Sequence, residues 1–147
     1  MVTDVRKLGV SWLAALGELM LDAGEMEWIL AHAAKTVGLE IDSKAGVSTI
    51  VKAIAKTAKS DTALLEWTAE AKAIADQRNA IVHSMAMTYR TVDDPDWIIR
   101  HRVQATGEVV ASTQRNIEEL SRRIRQNRSA ALAWLSGFAG RENPDRS

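Results

Sequence analysis

The chain has 147 residues, of which 46% are hydrophobic, and a formal net charge of zero at pH 7. This is enough apolar material for one domain with a substantial core. The absence of cysteine excludes disulfides, thiolate catalysis and cysteine-based zinc sites, and three histidines are too few to favour a histidine-based metal cluster. We therefore expect no metal and no cofactor. Because the net charge is zero, any nucleic-acid binding must come from local clusters of basic residues.

The sequence contains neither the pattern of a secretory signal nor an apolar run near the ~18 residues that cross a bilayer. We therefore expect a cytoplasmic protein with no membrane partner. The predicted organisation is a single helical domain over residues 1–140, followed by a flexible polar tail over residues 141–147.

The first predicted element, from Thr3 to about Val37, is one long helix or two nearly collinear ones, because its apolar residues recur at steps of three and four. Asp22 and Glu25 lie on one flank of this helix. Two interpretations of that acidic flank remain open: a solvated face, or a carboxylate that pairs with Arg78 of a later helix and orients it.

Gly24 in the middle of the first helix predicts a kink or a close contact with another helix. Gly38 ends the helix, and a shorter helix is predicted over residues 47–58 after a polar loop. Ser60 or Asp61 then caps a third, long helix.

The third predicted helix carries side chains that could bind phosphate or transfer protons. Arg78 falls near the centre of its apolar line, where packing would favour leucine, so its charge must be paired or must reach solvent or a ligand. Asn79 and His83 follow, separated from each other by one helical turn. One interpretation is a structural ion pair at Arg78. The other is phosphodiester chemistry, because histidine transfers protons near neutral pH and arginine matches phosphate.

Two β-branched and aromatic runs, residues 85–92 and 97–103, flank the turn-forming Asp93-Asp94-Pro95-Asp96 and predict a small hairpin. A last helix is predicted from Ser112 or Thr113 to about Phe138, packed against the motif helix. The predicted fold class is therefore mainly α: a bundle of about four helices with a β-hairpin between the motif helix and the last helix.

Arginines gather on the last helix. Arg115, Arg122 and Arg125 are the candidate nucleic-acid-binding residues of this group. Glu118 and Glu119 interrupt the run, so a salt-bridged, solvated face is the alternative interpretation.

The chain has five tryptophans, spread along the predicted elements. We predict that they anchor the core rather than stack on bases. They are Trp12, Trp28, Trp67, Trp97 and Trp134.

The motif Arg78-Asn79-Ala80-Ile81-Val82-His83, late in a long helix and followed by a hairpin and a last helix, resembles the HEPN superfamily. The signature of that superfamily is an arginine, a polar residue and a histidine four to six positions after the arginine. The resemblance covers most of the chain, and the short motif is its diagnostic part. The chain departs from a toxin subgroup that has tyrosine two residues after the histidine, since that position is Met85 here, and this leaves control by an adenylylated tyrosine without its target.

The resemblance implies a homodimer in which two motifs meet and a metal-independent endoribonuclease of toxin, antiviral or RNA-processing type. Arg78, Asn79 and His83 would be catalytic, the RNA products would end in 2′,3′-cyclic phosphate and 5′-hydroxyl groups, and an antitoxin is a possible protein partner. Other members of the superfamily are inactive, so the alternative is a non-catalytic helical dimer that binds protein or nucleotide through the same groove. A weaker alternative is a helical antitoxin or DNA-binding accessory protein that uses the arginines of the last helix, but no helix-turn-helix spacing supports it.

Overall fold

The computed structural model describes residues 10–83, 87–90, 97–102 and 107–142. The mainly-α class predicted from the sequence is confirmed, with four helices in the described residues. The elements in chain order are α1 (Val10–Thr36), α2 (Val47–Thr57), α3 (Thr62–His83), β1 (Met87–Arg90), β2 (Trp97–Arg102), β3 (Val109–Thr113) and α4 (Gln114–Glu142). None of the described helices is both long enough and apolar enough to cross a membrane.

Helix α1 ends at Thr36, just before Gly38, the residue predicted to end it. Gly38 has a φ of 85°, a left-handed conformation that costs glycine little. The Gly38 amide donates to the Lys35 carbonyl and the Leu39 amide to the Ala34 carbonyl, both at 3.0 Å, which satisfies two carbonyls of the last turn. α1 continues through Gly24 without interruption. Its predicted start at Thr3 lies outside the described residues.

Asp61 caps α3, as one of the two predicted candidates. Its carboxylate accepts a hydrogen bond from the Leu64 amide at 3.0 Å, an amide that has no carbonyl partner within the helix. The other carboxylate oxygen accepts from the Trp134 indole at 2.8 Å. One carboxylate therefore both begins α3 and fixes a tryptophan of α4.

The strands form a three-stranded antiparallel sheet in the order β1-β2-β3. β1 pairs with β2 in the register Met87↔Arg100 to Arg90↔Trp97, so the two strands predicted for the hairpin are confirmed. Their predicted turn at Asp93–Asp96 lies outside the described residues. β2 also pairs with β3, a strand that was not predicted.

Helix α4 begins directly after β3. Thr113 and Asn116 exchange hydrogen bonds: the Thr113 amide donates to Asn116 Oδ1 at 2.9 Å and the Asn116 amide donates to Thr113 Oγ1 at 3.3 Å. This reciprocal arrangement has the geometry of a capping box, and it confirms Thr113 as one of the predicted helix starts. α4 extends to Glu142, two residues beyond the predicted domain end, and the rest of the predicted tail lies outside the described residues.

The described chain divides into two compact units, and the division falls within α1, α3 and α4. Unit 1 comprises residues 1–23 and 74–123, and unit 2 comprises residues 24–73 and 124–147. Buried apolar side chains in unit 1 include Trp12, Leu19, Ile74, Ile81, Ile117 and Leu120, and those in unit 2 include Leu30, Ile54, Leu64, Trp67, Ile124 and Trp134.

Within unit 2, α1, α3 and α4 meet at Asn127. Its side-chain amide is buried, donates to the Trp67 carbonyl at 2.9 Å and lies 3.8 Å from Met26 Sδ. Trp67 and Trp134 pack at a tilt with their ring centroids 6.2 Å apart. This part of the predicted helix packing is confirmed.

The prediction that the tryptophans anchor the core is wrong for Trp28. Trp12, Trp67 and Trp134 are buried, whereas Trp28 is exposed and stacks on His32 with ring centroids 5.6 Å apart. The side chain of Trp97 lies outside the described part of the structure. Helical spacing cannot distinguish a buried from an exposed apolar face when a helix has both.

Candidate functional site

Arg78 lies near the end of α3 in unit 1, on a helix whose neighbouring apolar side chains are buried. Ile74, Ala75 and Ile81 belong to the core, and Arg78 itself is half-buried. Its Nε atom is fully buried and makes no hydrogen bond to the described residues, while the side chain interacts with other groups of the chain. The cation is thus held at the edge of the core.

Asn79 and His83 lie one helical turn apart on α3, which is about 6 Å along the helix axis. Asn79 is exposed, and His83 is the last residue of the helix. The side chain of His83 lies outside the described part of the structure. The backbone therefore brings the three motif residues onto the last two turns of one helix.

The two acidic residues predicted to orient Arg78 differ in their surroundings. Asp22 is half-buried, belongs to the same unit as Arg78 and interacts with another group of the chain. Glu25 belongs to unit 2, where its carboxylate accepts a hydrogen bond from Arg128 Nη1 at 2.7 Å. The described partner of Glu25 is therefore Arg128, and an orienting role for either carboxylate stays a prediction.

Arg123 of α4 contacts α3 immediately before the motif. Its Nη1 donates to Gln77 Oε1 at 3.2 Å, so α4 packs against the motif helix in unit 1, as predicted. The sequence argument did not single out Arg123 among the arginines of α4. A signal was available, because Arg123 lies three residues after Leu120 and four before Asn127, both buried, and so borders the core face of the helix.

The predicted RNA-binding arginines are not equivalent. Arg122 donates from Nε to Glu119 Oε2 at 2.9 Å and from Nη2 to the other carboxylate oxygen, a two-pronged ion pair on the solvent face. Arg115 is exposed in the same unit, whereas Arg125 is half-buried in unit 2 and interacts with other groups. The salt-bridged interpretation therefore holds for Arg122.

The arginines of α4 also set the charge state of Glu119. The hydrogen bond from Arg122 lowers the pKa of the Glu119 carboxyl, and the positive charges of Arg122, Arg123 and Arg115 lower it further, while desolvation opposes them. The same hydrogen bond raises the pKa of Arg122. Both groups are charged at neutral pH, and Arg122 is available to an external phosphate only in competition with Glu119.

Among the described residues, no three histidine, cysteine, aspartate or glutamate side chains are grouped closely enough to hold a metal ion. The comparisons of the chain with protein-family models, with curated proteins and with solved structures found no match. Its function must therefore be argued from its own residues.

Proposed function

We propose that this chain is a metal-independent endoribonuclease of the HEPN type that cleaves RNA at a composite site formed by the motifs of two copies. The observation that supports this most directly is the placement of Arg78, Asn79 and His83 on the last two turns of α3, with Asn79 exposed and the arginine at the edge of the core. Arg123, held beside Gln77, adds a second cation near the motif. These groups match the needs of phosphodiester cleavage.

In the proposed reaction, His83 of one copy accepts the proton of a ribose 2′-hydroxyl, and the 2′ oxygen attacks the adjacent phosphorus. The bond from phosphorus to the 5′ oxygen breaks, and that oxygen takes a proton from the second His83. Arg78 stabilises the negative charge that builds on the phosphoryl oxygens, and Asn79 orients the RNA or the histidine. The products carry 2′,3′-cyclic phosphate and 5′-hydroxyl ends.

The proposal includes RNA as the substrate, a homodimer as the active form and a cytoplasmic location. A role as a toxin, in antiviral defence or in RNA processing fits this activity, and a toxin would have an antitoxin as its protein partner. The site needs no residue other than those of this chain, since two identical motifs supply both proton-transfer groups.

The test is cleavage of a mixed-sequence RNA in EDTA, followed by analysis of the product ends. We expect wild-type protein to give cyclic-phosphate ends, and His83→Ala and Arg78→Ala to lose at least a hundredfold in rate, in line with general acid–base and electrostatic contributions. His32→Ala is the matched control, because His32 is an exposed histidine of α1 that stacks on Trp28 and is not a motif residue. Cleavage by both motif variants at the wild-type rate would show that the catalytic assignment is wrong.

Arg78→Lys separates the nuclease from the non-catalytic binding module. Lysine keeps the charge at the core edge but cannot offer the planar fork of donors. A nuclease should therefore lose activity in this variant while keeping most of its stability. A wild-type protein that cleaves no RNA, combined with a large loss of stability in Arg78→Ala, would favour the binding module, because a structural cation would then be missing.

A further inference from the structure

Four lysines and no acidic residue lie in the segment from Ser43 to Ser60. This segment contains α2, and the whole of it belongs to unit 2. The chain as a whole has 19 basic and 19 acidic residues, so the excess of positive charge is a local property of this segment. The four residues are Lys44, Lys52, Lys56 and Lys59.

Helix α2 turns its lysines away from the core. Ile50 and Ile54 are buried, whereas Lys52 and Lys56 are exposed. At about 100° per residue, the two lysines lie about 40° apart around the helix, and the two isoleucines lie about 160° from Lys52 on either side. Lys59, two residues past the end of α2, is exposed as well. We call Lys52, Lys56 and Lys59 the basic stripe.

The charges of the basic stripe are not neutralised within the part of the chain that the structure describes. None of its three side chains makes a hydrogen bond or an ion pair there. Asp42 and Asp61, which border the segment, accept hydrogen bonds from other groups. Like charges four residues apart on a helix repel each other and destabilise it, so the pair Lys52 and Lys56 lowers the stability of α2.

The surroundings of the basic stripe favour one class of anion. Single-stranded nucleic acid is bound by cations together with aromatic side chains on which the bases stack, and the segment from Ser43 to Ser60 has no aromatic residue. An amphipathic helix binds a membrane by inserting its apolar face, whereas the apolar residues of α2 are buried within the protein. Carboxylates of another protein need neither feature, because complementary charge is enough to bring them to the lysines.

We propose that the basic stripe docks an acidic segment of another protein, whose carboxylates pair with Lys52, Lys56 and Lys59. Thr49 and Ala55, the exposed neighbours of the lysines on α2, are small enough for a second chain to lie close to the helix. Lys52 and Lys56 are about 6 Å apart along the axis, the spacing of acidic residues at every fourth position of a partner helix. The inference goes beyond the proposed function, since it uses neither the motif of α3 nor the arginines of α4.

The first test measures the affinity for a fluorescein-labelled peptide of glutamate and alanine by fluorescence anisotropy at low salt. We expect Lys56→Gln to bind about threefold more weakly than wild type, the value of one exposed ion pair, and Lys52→Gln/Lys56→Gln about tenfold more weakly. Lys35→Gln is the matched control, because Lys35 is an exposed lysine of α1 in the same unit, and its affinity should stay that of wild type. A wild-type protein that does not bind the peptide, or equal losses in Lys56→Gln and Lys35→Gln, would overturn the proposal.

The same proteins are titrated with a single-stranded RNA and with vesicles that contain phosphatidylserine. We expect Lys52→Gln/Lys56→Gln to match wild type with both probes. A loss of RNA or vesicle binding in this variant that exceeds its loss of peptide binding would assign the basic stripe to phosphate groups and would refute a protein partner.

A charge reversal tests the stripe without the risk of unfolding the helix. Lys52→Glu places an acid four residues before Lys56, the order that stabilises a helix best. We expect the midpoint of thermal unfolding to rise while the affinity for the glutamate peptide falls. Lys52→Glu/Lys56→Glu should in turn bind a peptide with lysine in place of glutamate more tightly than wild type does. A lower unfolding midpoint in Lys52→Glu, or no preference of the double variant for the lysine peptide, would contradict the proposal.

Discussion

In the proposed RNA-binding role, Glu119 limits how much positive charge α4 offers to the substrate. Its carboxylate is held by two hydrogen bonds from Arg122, so Glu119→Gln should release this arginine. We expect RNA affinity to rise at low salt, and the slope of log affinity against log salt to steepen by up to about 0.7, the value for one added contact to a single-stranded phosphate. A fluorescence titration at several salt concentrations measures both.

Glu118→Gln is the control for this prediction. It removes the same charge, but Glu118 accepts its described hydrogen bond from Gln114, at 2.9 Å. The same gain in both variants would mean that net charge, and not the release of Arg122, causes the effect.

The Glu119 pair also has a defined response to acid. Its pKa lies below the ordinary value of 4.5 because of the hydrogen bond from Arg122 and the charges of nearby arginines. Whatever the pair contributes to stability is therefore present above the pKa of the unfolded chain and is lost as the pH falls through the lower, folded pKa. We expect the stability difference between wild type and Glu119→Gln to be constant between pH 6 and 8 and to vanish in acid. Urea unfolding of both proteins, from pH 8 down to below the ordinary carboxyl pKa of 4.5, measures this.

Asp61, which caps α3, accepts two described hydrogen bonds, and its loss should be costly. Asp61→Ala removes the cap on the Leu64 amide and the acceptor of the Trp134 indole. We expect the free energy of unfolding to fall by about 2–4 kcal/mol, with Asp61→Asn recovering part of the loss because its oxygen still accepts. Asp42→Ala, which removes only a loop contact to the Lys44 amide, should cost less than about 1 kcal/mol. Equal losses for the two alanine variants in urea unfolding would contradict this account.

Among the helices, α4 is joined to α3 in unit 2 by a buried hydrogen bond from Asn127. Asn127→Ala removes a buried hydrogen bond to the Trp67 carbonyl and leaves a cavity, so we expect a loss of about 1–3 kcal/mol. Ser129→Ala is the control, because the Ser129 hydroxyl is exposed and bonds only to the Arg125 carbonyl of its own helix. Calorimetry of the two variants checks the difference.

The helices were predictable where their ends depend on neighbouring residues. The capping hydrogen bonds at Gly38, Asp61 and Thr113 join groups that are only a few residues apart. The residue types at such positions therefore predict where a helix begins or ends. β3 was missed because a strand depends on a distant partner, here β2, and because its last residues are also good helix starts.

The candidate site was likewise predictable only where its residues are neighbours in the sequence. Arg78, Asn79 and His83 are close in sequence, so helical spacing alone places them together on α3. The contact of Arg123 with Gln77 joins residues that are 46 apart, and the ion pair at Glu119 selects one arginine among several. The exposed Trp28 was misassigned because α1 has apolar residues on both faces, and periodicity cannot say which face the core occupies.

The chain as a whole carries no net charge at pH 7. In the proposed RNA binding, the association rate and the equilibrium affinity should therefore depend on salt in different ways. Long-range attraction scales with the overall field, whereas the equilibrium affinity scales with the number of phosphates contacted by local arginines. We therefore expect the association rate to change little between 50 and 200 mM salt, while the affinity falls with a slope set by only a few contacts.

Stopped-flow association and equilibrium titration with the same labelled RNA measure these quantities. Arg115→Gln, at an exposed position of α4, should lower the affinity and reduce the salt slope by about 0.7 while leaving the association rate close to that of wild type. Lys59→Gln removes the same charge at an exposed residue in the other unit and should change neither quantity. An association rate that falls steeply with salt would contradict the local origin of binding, because it would require a field that a neutral chain of this kind does not provide.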